Sequence, residues 1–211
     1  MSHSKLMWIT PNAEQMIIDM ARVSNPDNQG KAGGGLLSYL IRNRHWSPFE
    51  MASACFEIET TRDIARQILR HRSFSFQEFS QRYAEVEAPP MFREARSQDQ
   101  KNRQNSHLIE DLDLQLNWKA TQGKVWDECY TRYLHALRIG IAKEQARALL
   151  PEGLTPSRMY MSGTIRSFMH YLDVRTGNGT QKEHMDVAWS MYEQLFEAIP
   201  TIMTTVMENR T

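Results

Sequence analysis

The sequence predicts an α+β fold, with a mostly antiparallel central sheet flanked by helices and a helical C-terminal half. Segment 52–60 alternates apolar and polar residues as a half-buried strand does, and a second short strand is predicted over 157–163. Segments after residue 163 have helical periodicity, and the elements do not follow the β–α–β–α order of a doubly wound sheet. The 211 residues suit one domain, so we expect a single domain over 1–211.

Two helices and a helix start precede the first predicted strand. Residues 12–24 are amphipathic, and 36–44 also have a helical pattern. The loop between them, 25–35, ends in three glycines without the spacing of a dinucleotide-binding fingerprint. Ser47 followed three residues later by Glu50 has the spacing of a capping box, which predicts Ser47 as a helix N-cap.

The rest of the chain is mostly helical in pattern, with one exception. Segment 61–71 has an apolar face and an arginine face, as expected for a helix packed on a core. Segment 90–115 is polar and charged, and no regular structure is predicted there. Helices are predicted over 116–149, 164–175 and 183–199.

Composition excludes several classes of protein. Twenty-five basic and 25 acidic residues give a formal charge of zero, which argues against a nucleic-acid coat or a polybasic membrane binder. Mean hydropathy is −0.57, and no apolar run spans a bilayer or forms a signal peptide, so a cytoplasmic protein is expected. Two cysteines, Cys55 and Cys129, are too few for a disulfide framework or a cysteine-rich zinc site.

The basic residues are mostly arginine, and several of them are concentrated in one segment. Eighteen are arginine and seven are lysine, and arginine is the side chain that binds phosphates and carboxylates in a planar, two-pronged way. Residues 61–82 contain five arginines against two acids. Two interpretations remain open for this segment: an anion-binding site, or a solvated basic helix end favoured by the helix dipole.

An extended segment over 78–82 is predicted to place a carboxylate, a hydroxyl and a guanidinium on one edge, at Glu78, Ser80 and Arg82, after a turn near 76–77. These groups suit a sugar hydroxyl and a phosphate.

A second set of arginines lies in the C-terminal half, at Arg147, Arg166 and Arg175. Arg166 and His170 share one face of the predicted helix 164–175, whereas Arg175 lies about 180° round the helix. One ligand cannot easily contact both faces, so either two ligands are bound or two subunits meet there. Surface arginines paired with nearby acids are the alternative for each residue taken singly.

One long motif contains arginine, histidine, serine and glutamate side chains within fourteen residues: Arg70-His71-Arg72-x-x-Ser75-x-x-Glu78-x-Ser80-x-Arg82-Tyr83. It closely resembles the signature of the flavin-dependent thymidylate synthases. Further resemblance covers segments 21–24, 45–50, 65–67, 146–151 and 166–175. The resemblance implies a homotetramer with active sites at subunit contacts, FAD as cofactor, NADPH as reductant, dUMP as acceptor and methylenetetrahydrofolate as carbon donor.

The resemblance also implies two sets of site residues. The cofactor contacts would be Ser24, His45, Ser47, Glu50, Arg70, His71, Arg72, Thr164, Arg166 and His170. The dUMP contacts would be Gln67, Arg70, Glu78, Ser80, Arg82, Arg147 and Arg175. Thr164 and His170 stand where many members of the family carry asparagine.

Arg175 and Ser80 are the candidate catalytic residues. Arg175 would stabilise negative charge that develops on the pyrimidine during carbon–carbon bond formation. Ser80 is a possible nucleophile by residue type, but no histidine stands at a triad-like position, so we expect it to bind and orient the nucleotide. Neither cysteine is in an activated context, and by the resemblance the reduced flavin supplies a hydride.

Two rival functions remain for comparison. A metal hydrolase is disfavoured because the seven histidines form no H-x-x-x-H pair, and no metal site is expected. A non-catalytic nucleotide- or single-stranded RNA-binding module would use arginines interleaved with Phe74, Phe76 and Phe79. The zero net charge argues against a nucleic-acid polymer as partner, and no membrane partner is expected.

Overall fold

A four-stranded antiparallel sheet lies at the centre of the molecule. In spatial order its strands are β1 (His3–Ile9), β2 (Ser53–Thr61), β6 (Pro156–Thr164) and β3 (Ser75–Glu78). This computed structural model describes residues 2–209, so Met1, Arg210 and Thr211 of the single domain predicted over 1–211 lie outside the described residues. Every neighbouring pair of these strands is antiparallel, which confirms the predicted fold class.

Helices flank the sheet and make up most of the C-terminal half. They are α1 (Ala13–Ala21), α2 (Gly34–Arg42), α3 (Arg62–Ile68), α4 (Leu112–Arg138), α5 (Lys143–Ala146), α6 (Ile165–Arg175), α7 (Lys182–Ala198) and α8 (Pro200–Glu208). Short 3-10 helices cover Pro26–Asn28, Ser47–Glu50 and Arg147–Leu149. Within residues 2–209, none of the helices combines the length and the apolar character that crossing a bilayer requires.

The sheet buries one face and leaves the other polar. Phe56 and Ile58 of β2 stand opposite Met161 and Met159 of β6, and all four are fully buried against α6, α7 and α8. Glu57, on the other face, forms an ion pair with Arg158 across the same two strands. An antiparallel sheet with one solvated face alternates in this way, as the pattern of 52–60 predicts.

The prediction of an extended segment over 78–82 is wrong. The strand is Ser75–Glu78, which pairs with β6 and runs straight through the predicted turn at 76–77. The chain turns afterwards, where the backbone N–H of Tyr83 donates to the carbonyl of Ser80 (3.1 Å). Pairing with β6 ends at Glu78, so Ser80 and Arg82 belong to the turn that follows and do not share an edge with Glu78.

The polar segment 90–115 is structured, contrary to the prediction. It contains a small antiparallel pair, β4 (Arg96–Gln98) and β5 (Ser106–Leu108), and α4 begins at its end. The Arg96 guanidinium forms an ion pair with Glu183 of α7 (2.5 Å), and both side chains are largely buried. This long-range contact gives the hairpin a fixed place that its local composition does not indicate.

Candidate active site

Three groups of polar side chains surround α6 and α3. The helix-start cluster consists of Glu50, Thr164 and Arg166, and the helix-end cluster of His71, Tyr171 and Arg175. The arginine cavity is an opening of about 340 Å³ whose lining includes Arg62, Arg66, Gln81, Glu144, Arg147 and Glu152. Together they contain six of the predicted site residues: Glu50, His71, Arg147, Thr164, Arg166 and Arg175.

The helix-start cluster is built on the N-cap of α6. The Thr164 hydroxyl accepts from the Ser167 N–H (3.3 Å) and donates to Glu50 Oε2 (2.8 Å). Arg166 Nη1 donates to the other oxygen of Glu50 (2.6 Å). The Thr164 hydrogen bond, opposed by burial and assisted by Arg166, holds the pKa of Glu50 below its usual value, so this carboxylate is ionised at neutral pH.

These contacts also explain why the predicted capping box does not form. Ser47 lies inside a 3-10 helix that is preceded by Trp46, and no side chain caps that helix. Glu50, the expected partner of the capping serine, is engaged by Thr164 and Arg166 instead. A charged hydrogen bond to arginine is stronger than a neutral cap, so the tertiary contact prevails.

Aromatic and imidazole rings border the helix-start cluster. The exposed His170 ring packs edge-on against Trp46, with ring centroids 5.1 Å apart. His45 stacks on Tyr39 at 6.1 Å. Trp46 and His170 line an opening of about 430 Å³ between α2 and α6. The predicted cofactor residues on this side of the molecule therefore border open space.

The helix-end cluster pairs an arginine with a neutral histidine. Arg175 Nε donates to His71 Nε2 (2.9 Å), and the His71 ring packs edge-on against Tyr171 (4.9 Å). Burial and the Arg175 charge lower the pKa of His71 to about 4, so the imidazole is neutral at pH 7 and its Nε2 accepts the hydrogen bond. Arg175 is thus oriented through Nε, and its two Nη groups take no part in this bond.

Glu78 is held by two donors on the same oxygen. Arg62 Nη1 and the Ser157 hydroxyl approach Glu78 Oε1 at 3.0 and 2.7 Å. Oε2 takes no part in either contact, which leaves an acceptor beside the Ser80 turn. The Ser80 hydroxyl accepts a long hydrogen bond from the Arg82 backbone N–H (3.4 Å), so it contributes to the shape of the turn.

The arginine cavity lies beyond that turn. Arg82 pairs with Glu144 (3.4 Å), and Arg147 Nε donates to the Glu144 carbonyl (3.2 Å), which brings two of the predicted dUMP contacts to one acidic residue. Arg66 pairs with Glu152 at the rim. Gln81 is only 6% exposed, and its Nε2 has no hydrogen-bond partner among the described residues. An unpaired buried N–H group costs free energy unless a ligand satisfies it.

The predicted site residues do not all meet at one place within a single subunit. Arg166 and Arg175 lie at opposite ends of α6, roughly 13 Å apart along its axis, and have different partners. Ser24, Ser47, Arg70 and Arg72 are exposed. Neither Arg70 nor Arg72 forms an ion pair within residues 2–209. Both guanidinium groups are therefore available to an anion.

Sequence reasoning missed Gln81, Tyr171 and His184. Gln81 occupies a variable position of the motif, and nothing in its local pattern indicates that it is buried. Tyr171 and His184 lie on the buried faces of α6 and α7 and contact each other through His184 Nε2 (3.0 Å). The part of the chain that the structure describes contains no group of three or more histidine, cysteine or acidic side chains able to hold a metal ion.

Comparison with known proteins places the chain in a family. Residues 5–201 match the family described as thymidylate synthase complementing protein. A probable flavin-dependent thymidylate synthase of Paramecium bursaria Chlorella virus 1 is 51% identical over 192 residues, which are 90% of this chain and 88% of that protein. The flavin-dependent thymidylate synthase of Synechocystis sp. is 46% identical, covering 90% and 87%.

A solved structure has the same fold. The UMP/dUMP methylase PolB from Streptomyces cacaoi, bound with 5-Br UMP, superposes with a TM-score of 0.89 at 27% identity, covering 100% of this chain and 96% of that one. The sequence relatives and this neighbour agree with the resemblance carried by the arginine motif. The chain therefore belongs to the flavin-dependent thymidylate synthase family.

Proposed function

We propose that the protein methylates dUMP reductively to dTMP, with methylenetetrahydrofolate as carbon donor and NADPH-reduced FAD as hydride source. The observation that carries the proposal is the arginine cavity, where Arg147 and the unpaired amide of Gln81 border space beside the Ser80 turn. A nucleoside monophosphate offers this site a phosphate for the cations and ribose hydroxyls for Glu78.

In this proposal the nucleotide extends from the arginine cavity along α3. Arg82 and Arg147 bind the phosphate, and Gln81 donates its unpaired N–H to a phosphate oxygen. Glu78 Oε2 accepts from the ribose, while Ser80 orients the nucleotide through the turn. Gln67 and Arg70, further along α3 and just beyond it, contact the nucleotide on the side of Arg175.

Arg175 acts on the pyrimidine. Forming a carbon–carbon bond at uracil requires electron density on the ring, and the negative charge that develops is stabilised by the Nη groups of Arg175. Neutral His71 accepts the Nε–H bond, so Arg175 is held in one orientation without loss of its charge. A preoriented cation needs little reorganisation as the charge appears.

The donor set fits a flavin dinucleotide. Arg70 and Arg72 lie exposed at the end of α3 without ion-pair partners in residues 2–209, as a pyrophosphate requires. His71, Ser24, His45, Ser47 and the helix-start cluster with His170 provide further donors and aromatic surface. When bound, FAD supplies the hydride chemistry, and these residues hold and orient it.

A homotetramer completes the proposed site. The helix-start and helix-end clusters lie roughly 13 Å apart, at opposite ends of α6, and in this proposal two different subunits supply them to one site. Five large apolar side chains of α4 are 42–76% exposed: Leu112, Leu114, Leu116, Trp118 and Val125. Apolar surface of this kind is typical of a subunit contact. A cytoplasmic location remains a prediction.

The proposal is tested by NADPH oxidation. Purified protein with FAD should oxidise NADPH in a dUMP-dependent way and form dTMP when methylenetetrahydrofolate is added. Gln81→Ala should raise the KM for dUMP several-fold, because one phosphate donor is lost, whereas Gln104→Ala on the exposed hairpin should not. Single-stranded RNA binding without turnover would instead support the non-catalytic binding module.

A further inference from the structure

A continuous chain of hydrogen bonds leads from the hairpin to the core beneath α3. Its contacts are Arg96 to Glu183 (2.5 Å), Gln181 Nε2 to Glu183 Oε2 (3.0 Å), Gln67 Nε2 to Gln181 Oε1 (2.7 Å), His184 Nδ1 with Gln67 Oε1 (3.3 Å), and Tyr171 with His184 Nε2 (3.0 Å). The chain ends against the ring that packs on His71. Gln67 is its only member among the predicted site residues.

The carboxylate of Glu183 gives this chain a direction. Burial alone would raise the pKa of Glu183, but its own backbone N–H and the nearby Arg96 outweigh burial and lower it, so Glu183 is ionised and only accepts. Gln181 must therefore point its NH2 group at Glu183. The Gln181 carbonyl oxygen then faces Gln67, which must donate from its own NH2 group.

The same logic continues to the far end. With its NH2 group committed to Gln181, Gln67 presents its oxygen to His184, and His184 must carry its proton on Nδ1. Nε2 is then an acceptor for the Tyr171 hydroxyl. Reversing any one member would place two donors or two acceptors face to face, so a single charge fixes every orientation.

Independent observations at the buried end agree with this direction. Tyr171 is 1% exposed, and burial raises its pKa, so its hydroxyl keeps the proton that it donates. His184 is fully buried, and burial with the charge of Arg175 lowers its pKa to about 3. A neutral imidazole has one donor and one acceptor, which is what this chain of hydrogen bonds requires at His184.

We infer that Glu183, Gln181 and His184 are positioning residues that fix the amide of Gln67 so that its second N–H faces the nucleotide as a donor. The inference rests on the proposed role of Gln67 as a dUMP contact. Gln67 is half-buried, and its Nε2 has one hydrogen left after the bond to Gln181. A reversed amide would turn its oxygen toward the same nucleotide acceptor and repel it.

Glu183→Gln tests the direction of the chain, because an amide at this position can accept or donate. We expect the KM for dUMP to rise about tenfold, while kcat and FAD content stay within about twofold of wild type. The matched variant Arg96→Gln removes the ion pair but leaves the carboxylate, which its own backbone N–H and the charge of Arg93 still favour in the ionised form, so its KM should stay within about threefold. Equal losses in both variants would overturn the inference, as would an unchanged KM in Glu183→Gln.

Neutron diffraction from crystals of the wild-type holoenzyme tests the same point without a variant. We expect a deuteron on Nδ1 and none on Nε2 of His184. We also expect the deuterated amide nitrogen of Gln67, Nε2, to be directed at Gln181. The opposite tautomer would overturn the inference even if dUMP is the substrate. If wild type does not bind or turn over dUMP, the proposed function fails, whereas the deuteron positions still decide the direction of the chain.

Discussion

Arg175 differs from Arg62, Arg82 and Arg166 in its partner, which is a neutral imidazole and not a carboxylate. Arg62, Arg82 and Arg166 are each paired with an acidic residue, so their charge is already compensated. Arg175 keeps an uncompensated charge in a half-buried place. A cation in this state is suited to charge that appears only during a reaction.

Arg175→Ala should therefore slow chemistry more than it weakens flavin binding. We expect kcat to fall by about 100-fold or more, as for the loss of a preorganised charge-stabilising donor. FAD content per subunit should stay within about twofold of wild type. Absorbance of the bound flavin and single-turnover dTMP formation measure the two effects. Arg138→Ala, at the exposed end of α4, is the control, and an equal loss of flavin in Arg175→Ala would contradict this division of roles.

Ser80→Ala should retain measurable activity. Its hydroxyl makes a 3.4 Å contact to a backbone N–H, and losing a hydrogen bond of this kind costs about 1 kcal/mol, or roughly fivefold to tenfold in rate or KM. Steady-state kinetics with dUMP measure the effect. Complete inactivity of a variant that still binds dUMP would restore Ser80 as the nucleophile.

Two neutral histidines make stability depend on pH. The pKa of His71 is lowered to about 4 and that of His184 to about 3, whereas an unfolded histidine titrates near 6.5. Between these values the unfolded chain binds protons that the folded chain does not. Stability should therefore be full above about pH 6.5 and fall as the pH drops toward 4.

Urea unfolding at a fixed protein concentration measures this dependence. Buried His184 should contribute up to roughly 1.4 kcal/mol for each pH unit inside the window. His135→Gln, which removes an exposed histidine of α4, should leave the slope unchanged. A flat profile from pH 7 to 5 would show that the two imidazoles are protonated in the fold.

At the scale of elements, β6 and α6 together connect the core to the site. Thr164 ends the strand and caps the helix, and the helix then carries Arg166 and Arg175 at its two ends. Phe74, just before β3, packs against Phe168 (4.9 Å) and lies over Gly163 of β6. The Phe74 ring is thus one of the contacts that attach the arginine motif to the core.

Gly163→Ala should loosen that attachment. A Cβ at Gly163 would meet the Phe74 ring at less than contact distance, so the ring must shift, and overpacking of this kind costs about 1–3 kcal/mol. Gly35→Ala is the matched control, because a Cβ there meets nothing within 4 Å and alanine favours the helix. Thermal unfolding compares them; a Gly163→Ala protein as stable as wild type would contradict the prediction.

At the scale of the whole molecule, the separation of the two clusters on α6 determines how subunits could combine to build the proposed site. If subunits share sites, one subunit supplies the helix-start cluster and another supplies the helix-end cluster. The native mass should then be about four times the 24.6 kDa of the chain.

Subunit mixing tests the shared site. Arg166→Ala and Arg175→Ala proteins should each be nearly inactive, but co-expressed subunits should recover about one quarter of the wild-type activity, because a quarter of randomly assembled sites contain neither change. Co-expression of two differently tagged Arg175→Ala chains is the control. No recovery from the mixed pair would show that each site lies within one subunit.

Local sequence was enough for the fold class, the family and several elements. Alternation in 52–60 and helical periodicity in 164–175 are local properties, so β2 and α6 were predictable nearly to their ends. The arginine motif indicated the family because many chemically demanding side chains recur at one spacing. β1 and α8 were missed because β1 shows no clear alternation and α8 begins at Pro200, separated from the end of α7 by a single residue.

Tertiary structure alone decided which charges meet. Glu50 and Arg166 are 116 positions apart, and Glu183 and Arg96 are 87 apart, so no local pattern pairs them. The same holds for the buried amide of Gln81 and for the hydrogen-bond chain beneath Gln67. Sequence determined the residues that could bind a nucleotide and a flavin. Folding determined their partners, protonation and orientation, because these depend on burial and distance between segments remote in the chain.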